Sequence, residues 1–276
     1  MMHNTPTEAT PIDLNPRRRT FTQLPVVEDI SSRVIHLKER SLVMLKQDLI
    51  LRNPLRLLGK ESDDILEPGQ FGAILARAGV GKTALIIQIA LNAMLRAQKV
   101  LHISLNEPVG KINIWYQEVL GRLAQKFQIP HLDQLWDTIV PHRFIMTFQA
   151  EGFSVPKLEE RLTDLTSQNI FNPRMMLIDG LAFDQQAVAA LQGLKQMAHR
   201  LSLPIWFTVT THRHEAPAPD GLPVQLSAVQ NLFEMAVALL PVEQTIQIKA
   251  LKGCSQAEAQ PPLHLDPETM LIQDRG

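Results

Sequence analysis

The stretch Ala76-Arg77-Ala78-Gly79-Val80-Gly81-Lys82-Thr83 decides how the rest of this sequence is read. Its small residues leave the backbone free to curl, so that successive N–H groups converge on one point, and such a curl cradles phosphate oxygens. Before it, Phe71 to Ala76 is a short apolar run of strand character. After it, Thr83 to about Leu95 is rich in Ala, Leu and Ile and reads as a helix. Strand, glycine-rich turn and helix in that order fit the P-loop pattern, with Ala76 where the first glycine usually stands. The helix would point its positive end at the phosphates. Lys82 would reach the β- and γ-phosphates, and the Thr83 hydroxyl would ligate Mg2+.

Working outward, Val100 to Leu105 reads as a second strand and Val109 to Phe127 as a second helix. Phe144 to Phe148 is a third strand, and Val155 to Leu165 a helix with Pro156 well placed in its first turn. Met175 to Ile178 is a buried strand ending in Asp179, followed by a helix over Gln185 to Leu201 and the strand Ile205 to Val209. Apolar strands alternating with helices predict a mostly parallel sheet covered on both faces. Past Pro217-Ala218-Pro219, the runs Met235 to Leu240, Thr245 to Leu251 and Met270 to Ile272 read as three strands without helices between them. They predict an antiparallel C-terminal extension.

Upstream, residues 1–25 read as a flexible tail containing Arg17-Arg18-Arg19. Residues 26–60 form a helical N-terminal segment, in which Ile30, Val34, Leu37, Leu45 and Leu49 fall at helical spacing and the helix ends before Pro54. That stripe must be buried against the core or against a neighbouring subunit, and the sequence does not choose. Residues 61–276 are the α/β domain.

Four apolar residues followed by an acid place Asp179 at the carboxyl edge of the sheet, beside the loop. There it can hold Mg2+ through the ion's water shell. The bulk numbers set bounds. A chain of 276 residues with 45% hydrophobic and 20% charged residues has the composition of a globular protein. A formal net charge of −1 gives no global reason to bind nucleic acid or an anionic membrane. The single cysteine, Cys254, excludes an internal disulfide, and no Cys/His spacing resembles a zinc site. No apolar run reaches the roughly 18 residues of a membrane helix. A cytoplasmic protein with no membrane contact is the expectation.

Four segments resemble the RecA superfamily, and within it the KaiC/RadA/DnaB-like branch. They are the 76–83 loop with Ala84-Leu85-Ile86-Ile87-Gln88-Ile89-Ala90, the strand end Ser104-Leu105-Asn106-Glu107-Pro108, the Asp179 strand, and Leu251-Lys252-Gly253-Cys254-Ser255. The resemblance implies a RecA-like ATPase domain that binds ATP and Mg2+ between subunits of a homo-oligomeric ring or filament. It also implies a catalytic glutamate at the tip of the second strand. The position that follows Ser104-Leu105 directly is Asn106, whose amide cannot accept a proton as a carboxylate can. Either Glu107 serves as the base or it faces away. Thr210, at the end of the Ile205 strand, matches a polar γ-phosphate sensor. Lys252 matches a basic finger offered to the neighbour's ATP, but as lysine it lacks the forked donors of arginine. Lys249 stands one place off a second such position.

Three functions follow as expectations: an ATP-binding protein that hydrolyses slowly, a nucleotide-gated scaffold with little or no hydrolysis, and a DNA-directed motor. The loops at Glu151 to Ser154 and His212 to Gln225 are poor in Lys and Arg, which counts against the third. A protein partner stays open. Trp115-Tyr116 reads as packing, and His212 and His214 as surface residues.

Overall fold

A computed structural model of the chain describes residues 43–52, 65–149, 152–212, 215, 218, 221–253 and 263–274. The tail with Arg17 to Arg19, the beginning of the N-terminal helix, His214 and Cys254 lie outside the described residues. All described residues belong to one compact unit, Ser41–Gly276.

The chain folds as α/β around a nine-stranded, mostly parallel sheet. Residues 43–52 form helix α1. Strand β1 (Phe71–Ala76) leads through the 76–83 loop into α2 (Lys82–Leu95). There follow β2 (Val100–Ser104), α3 (Val109–Phe127), α4 (Leu132–Ile139), β3 (Arg143–Thr147), α5 (Val155–Ser167), β4 (Met175–Asp179), α6 (Ala187–Leu201) and β5 (Ile205–Thr210). The short helix α7 (Val224–Ser227) precedes β6 (Met235–Val242), β7 (Thr245–Lys252), β8 (Leu263–Leu265) and β9 (Ile272–Asp274). The strands lie in the order β3-β2-β4-β5-β1-β6-β7-β8-β9.

The strand period of two divides the core. Ile74, Leu177, Trp206 and Val237 face one layer, with α2, α3 and α4. Phe71, Ala73, Leu75, Ile103, Ile178 and Phe207 face the other, with α5 and α6. Helix α2 is apolar nearly all round, and every residue from Leu85 to Leu95 is buried, as befits a helix between a sheet and a second helix layer. On α1, Leu49 is buried in the α2-side core while Met44 and Leu51 are exposed. The described part of the stripe is therefore buried against the chain's own core.

Among the described residues the expected elements form, with several differences. The antiparallel extension begins one strand later than expected, because β6 pairs in parallel with β1. The segment between β5 and β6 is long enough to act as a crossover, which a parallel pairing requires. Strand β9 starts at Ile272, because Met270 takes a left-handed φ of 56° in the preceding turn. Helices α4 and α7 and strand β8 have no counterpart in the sequence reading. Helix α4 is two turns long and starts from His131 in a left-handed conformation, α7 is four residues, and β8 is three residues held by its pairing with β7.

One buried polar group sets an acid limit. His102 Nδ1 lies 3.0 Å from the Tyr116 hydroxyl, and both residues are fully buried. The Arg143 guanidinium stacks 4.3 Å above the Tyr116 ring centroid. Burial, reinforced by the Arg143 cation, depresses His102 to about 3. The unfolded chain takes up this proton below about pH 6.5 and the folded chain does not, so stability is whole above that pH and falls below it. The loss is at most about 1.4 kcal/mol per pH unit down to about pH 3. Urea midpoints followed from pH 7.5 to 4.5 should show this slope, and His102→Gln should flatten it. An equal slope in both proteins would place the acid sensitivity elsewhere.

Candidate functional site

The 76–83 loop leaves β1 and turns sharply through two glycines of positive φ, Gly79 (77°) and Gly81 (105°). Gly81 is also the N-cap of α2. No side chain caps this helix and no acid occupies its own first turn; the carboxylate beside it is Asp179 of β4, reached through the Thr83 hydroxyl. A methyl group on Gly81 would lie 2.7 Å from Leu265 Cδ2, a side-chain end that can give way, so it is the positive φ that calls for glycine here. Lys82 folds back over the curl and donates to the carbonyls of Ala76 and Arg77, each at 3.1 Å. Burial lowers the Lys82 pKa, and the Asp179 carboxylate works against that shift. Ala78 and Gly79 are exposed and Val80 is half-buried, so the outer side of the curl is open to solvent.

Residues that alternate onto the α2 face of the sheet become polar at its carboxyl edge: Ser104 on β2, Asp179 on β4 and Thr208 on β5. Ser104 and Asp179 are direct partners in the β2–β4 register. Thr83, in the first turn of α2, donates to Asp179 Oδ2 at 3.1 Å. Thr208 donates to Asp179 Oδ1, and its hydroxyl accepts from Gly180 N at 3.2 Å. Burial raises the Asp179 pKa, the two hydroxyls and Lys82 pull it down, and Glu107 pushes it up. Thr208 is the functional candidate that sequence reasoning missed. Its signal was its place two residues before Thr210, and thus on the same face of β5.

Asn106 and Glu107 follow β2 at the same edge. The Asn106 side chain lies over Gly180, where a Cβ would come within 2.4 Å of its amide nitrogen. Glu107 is fixed by its backbone, whose N–H donates to Ser104 Oγ at 3.0 Å. Its carboxylate accepts from Lys111 Nζ at 2.8 Å, one helical turn on, and that ammonium also sits 5.1 Å from the Trp115 ring centroid. Glu107 is thus near Asp179 but engaged with a lysine. Thr210 is level with Ala76 in the β1–β5 register and is exposed. It borders a cleft of about 860 Å³ together with Asn106, Gly180, His212 and Gln225.

Lys252 stands apart. It is level with Ala236 on β6, which pairs with Ala73, toward the amino end of β1 and away from the loop. Its ammonium donates to the Gln230 carbonyl at 2.7 Å. Lys249 is exposed on the same strand. The structure therefore brings together Lys82, Thr83, Asp179, Thr208, Asn106 and Glu107, with Thr210 at the margin, and leaves Lys252 outside.

The assembly suits an anion bearing a hard cation. Lys82 and the uncapped α2 terminus supply positive potential, and Thr83 Oγ1 with Asp179 Oδ2 supplies two neighbouring oxygens of the kind Mg2+ prefers. Among the described residues no group of three or more His, Cys, Asp or Glu is set to hold a metal ion. A cation here would take its remaining oxygens from the ligand and water. No described helix is long and apolar enough to cross a membrane. No family model matches the chain, and comparison with curated proteins gives no match.

Proposed function

We propose that this chain is a RecA-type ATP-binding protein that takes ATP·Mg2+ at the 76–83 loop and hydrolyses it slowly. The observation that carries this reading is the meeting of Thr83 and Asp179, 96 residues apart in sequence, at 3.1 Å directly beneath the Lys82 curl. A phosphate-binding motif that arises by chance has no reason to deliver its hydroxyl to a carboxylate at the end of β4, two strands across the sheet from β1.

In this reading the loop N–H groups and Lys82 hold the β- and γ-phosphates, with Lys82 exchanging two carbonyl partners for phosphate oxygens. Thr83, with Asp179 behind it, holds Mg2+, whose charge neutralises the phosphates. Thr208 keeps Asp179 oriented by holding its other oxygen. Glu107 is the carboxylate that orients water, and Lys111 competes for it. The homo-oligomer belongs to the same proposal: Lys252 cannot serve its own loop, so a basic finger role needs a neighbouring copy.

The engagement of Glu107 by Lys111, with an amide at Asn106, favours a second reading in which ATP acts as a ligand that shifts an assembly equilibrium and is scarcely hydrolysed. Phosphate release from ATP and Mg2+, with Lys82→Ala as the blank, tests the first. Measured turnover above that blank favours the first, and ATP binding without it the second. Asn106→Glu tests the cause of the slow rate. It should raise turnover by at least about tenfold if a missing carboxylate limits the rate, since general-base assistance contributes about 10²–10⁴-fold. An unchanged rate with intact ATP binding would count against the amide as the cause.

A further inference from the structure

Helix α2 carries a side chain whose position is unusual for its chemistry. Gln88 is only 3% exposed, yet both ends of its amide are hydrogen-bonded to the far end of the chain. Its Nε2 donates to Met270 O at 2.8 Å and to Ala84 O at 3.2 Å, and its Oε1 accepts from Ile272 N at 3.0 Å. One buried amide thus closes the β8–β9 turn onto the first turns of α2.

The turn it holds has its own order. Met270 N donates to Asp266 O at 2.7 Å and Asp266 N to Leu271 O at 3.0 Å. Two cations on α3 grip it from the other side: Arg122 donates to Thr269 O and Lys126 to Ile272 O, both at 3.1 Å. The hairpin then reaches the site directly. Leu265 and Met270 pack onto the Cα of Gly81, where an added methyl would meet them at 2.7 and 3.2 Å. Gly81 is the residue whose left-handed φ starts α2 and aims the loop.

We infer that Gln88 is a positioning residue and that the β8–β9 hairpin it clamps is coupled to occupancy of the 76–83 loop. This rests on the nucleotide reading above and adds its regulation. The hairpin can close on Gly81 only while the glycine holds its curled conformation, and the curl is the conformation that presents N–H groups to phosphate. Binding and docking therefore favour the same state of Gly81, and each strengthens the other by the same factor. Whatever moves the hairpin, a partner or a neighbouring copy pulling on the last strands, changes nucleotide affinity without touching the nucleotide.

The test combines hydrogen exchange with ATP·Mg2+ titration of the full chain. In the wild type, saturating ATP·Mg2+ should slow amide exchange in residues 263–274 as well as in the loop. Gln88→Leu leaves the Met270 carbonyl and the Ile272 N–H without their partner and should raise the Kd for ATP about tenfold, with the hairpin exchanging faster. Arg122→Ala loosens the same turn from the half-buried α3 side and should raise the Kd about threefold, which keeps the idea testable if Gln88→Leu folds poorly. ATP that slows exchange in the loop but not in 263–274, or an Arg122→Ala protein with faster hairpin exchange and wild-type affinity, would overturn the coupling and leave nucleotide binding intact. ATP that neither binds nor protects the loop would instead remove the nucleotide reading, and the coupling with it.

Discussion

Gly253→Ala should destabilise the protein by about 3–5 kcal/mol, more than a methyl added at any other described glycine. The glycine ends β7 with a φ of +73°, which an alanine adopts only at a cost of about 1–3 kcal/mol. Space is the larger difficulty. A Cβ at this position would lie 1.8 Å from the Glu234 carbonyl oxygen and 2.9 Å from its carbon, and backbone cannot swing aside as a side chain can. Glu234 is itself pinned. Its N–H donates to Phe71 O at 3.0 Å, and its carboxylate accepts from Phe71 N at 2.8 Å and from Lys195. Moving it would disturb the pairing of β6 with β1. Thermal unfolding should show the midpoint falling by roughly 10 °C for a chain of this size. Gly121→Ala is the control, because a Cβ there meets nothing within 4 Å in the middle of α3. It should be neutral or stabilising by up to about 1 kcal/mol. A Gly253→Ala midpoint within about 2 °C of wild type would mean that the chain does not press against Glu234.

Lys82→Ala should abolish ATP·Mg2+ binding at working concentrations, with Kd rising about 100-fold or more, while the fold survives. The loop brings this ammonium onto its own carbonyls, at the centre of the curl. Charge-assisted hydrogen bonds contribute about 1.5–3 kcal/mol each, so losing two to phosphate oxygens accounts for an effect of this size. Stability should change little, because Lys82 is only half-buried and the carbonyls of Ala76 and Arg77 can take water instead. The measurements are isothermal titration with ATP·Mg2+ and a thermal melt of the same preparation. Undiminished affinity with an unchanged melt would mean that the loop does not hold the phosphates. Weaker binding together with a melt lowered by many degrees would mean that Lys82 is structural, and the nucleotide reading would lose its first support.

The elements around the site were legible because their causes are local. The strand Phe71–Ala76 matches the sequence expectation at both ends, since its apolar run is bounded by Gln70 and by the glycine-rich turn. Helix α2 and the carboxylate at the end of β4 were equally plain, from an apolar helical pattern and a buried strand closed by an acid. Thr208 was harder. A threonine inside a buried strand is ordinary for strand propensity, and only the pairing of β4 with β5 gives its hydroxyl a carboxylate to bind. The engagement of Glu107 by Lys111 was available in principle from the four-residue spacing on a helix, but Glu107 precedes the helix, and its direction is set by the Ser104 hydroxyl.

By itself the sequence determined the alternation of strands and helices, the curled loop between Ala76 and Thr83, and the carboxylate at the edge of β4. Each follows from side-chain period, glycine sterics or burial within a few neighbouring residues. Only the tertiary structure decided that β6 runs parallel beside β1, that Lys252 lies away from its own loop, and that the last hairpin rests on Gly81. Those depend on contacts between segments as far apart as Gln88 and Ile272, 184 residues along the chain. No local pattern specifies which distant strand fills a place beside β1, because the backbone of any strand offers the same hydrogen bonds. The choice is made by the side chains that pack when the whole core closes.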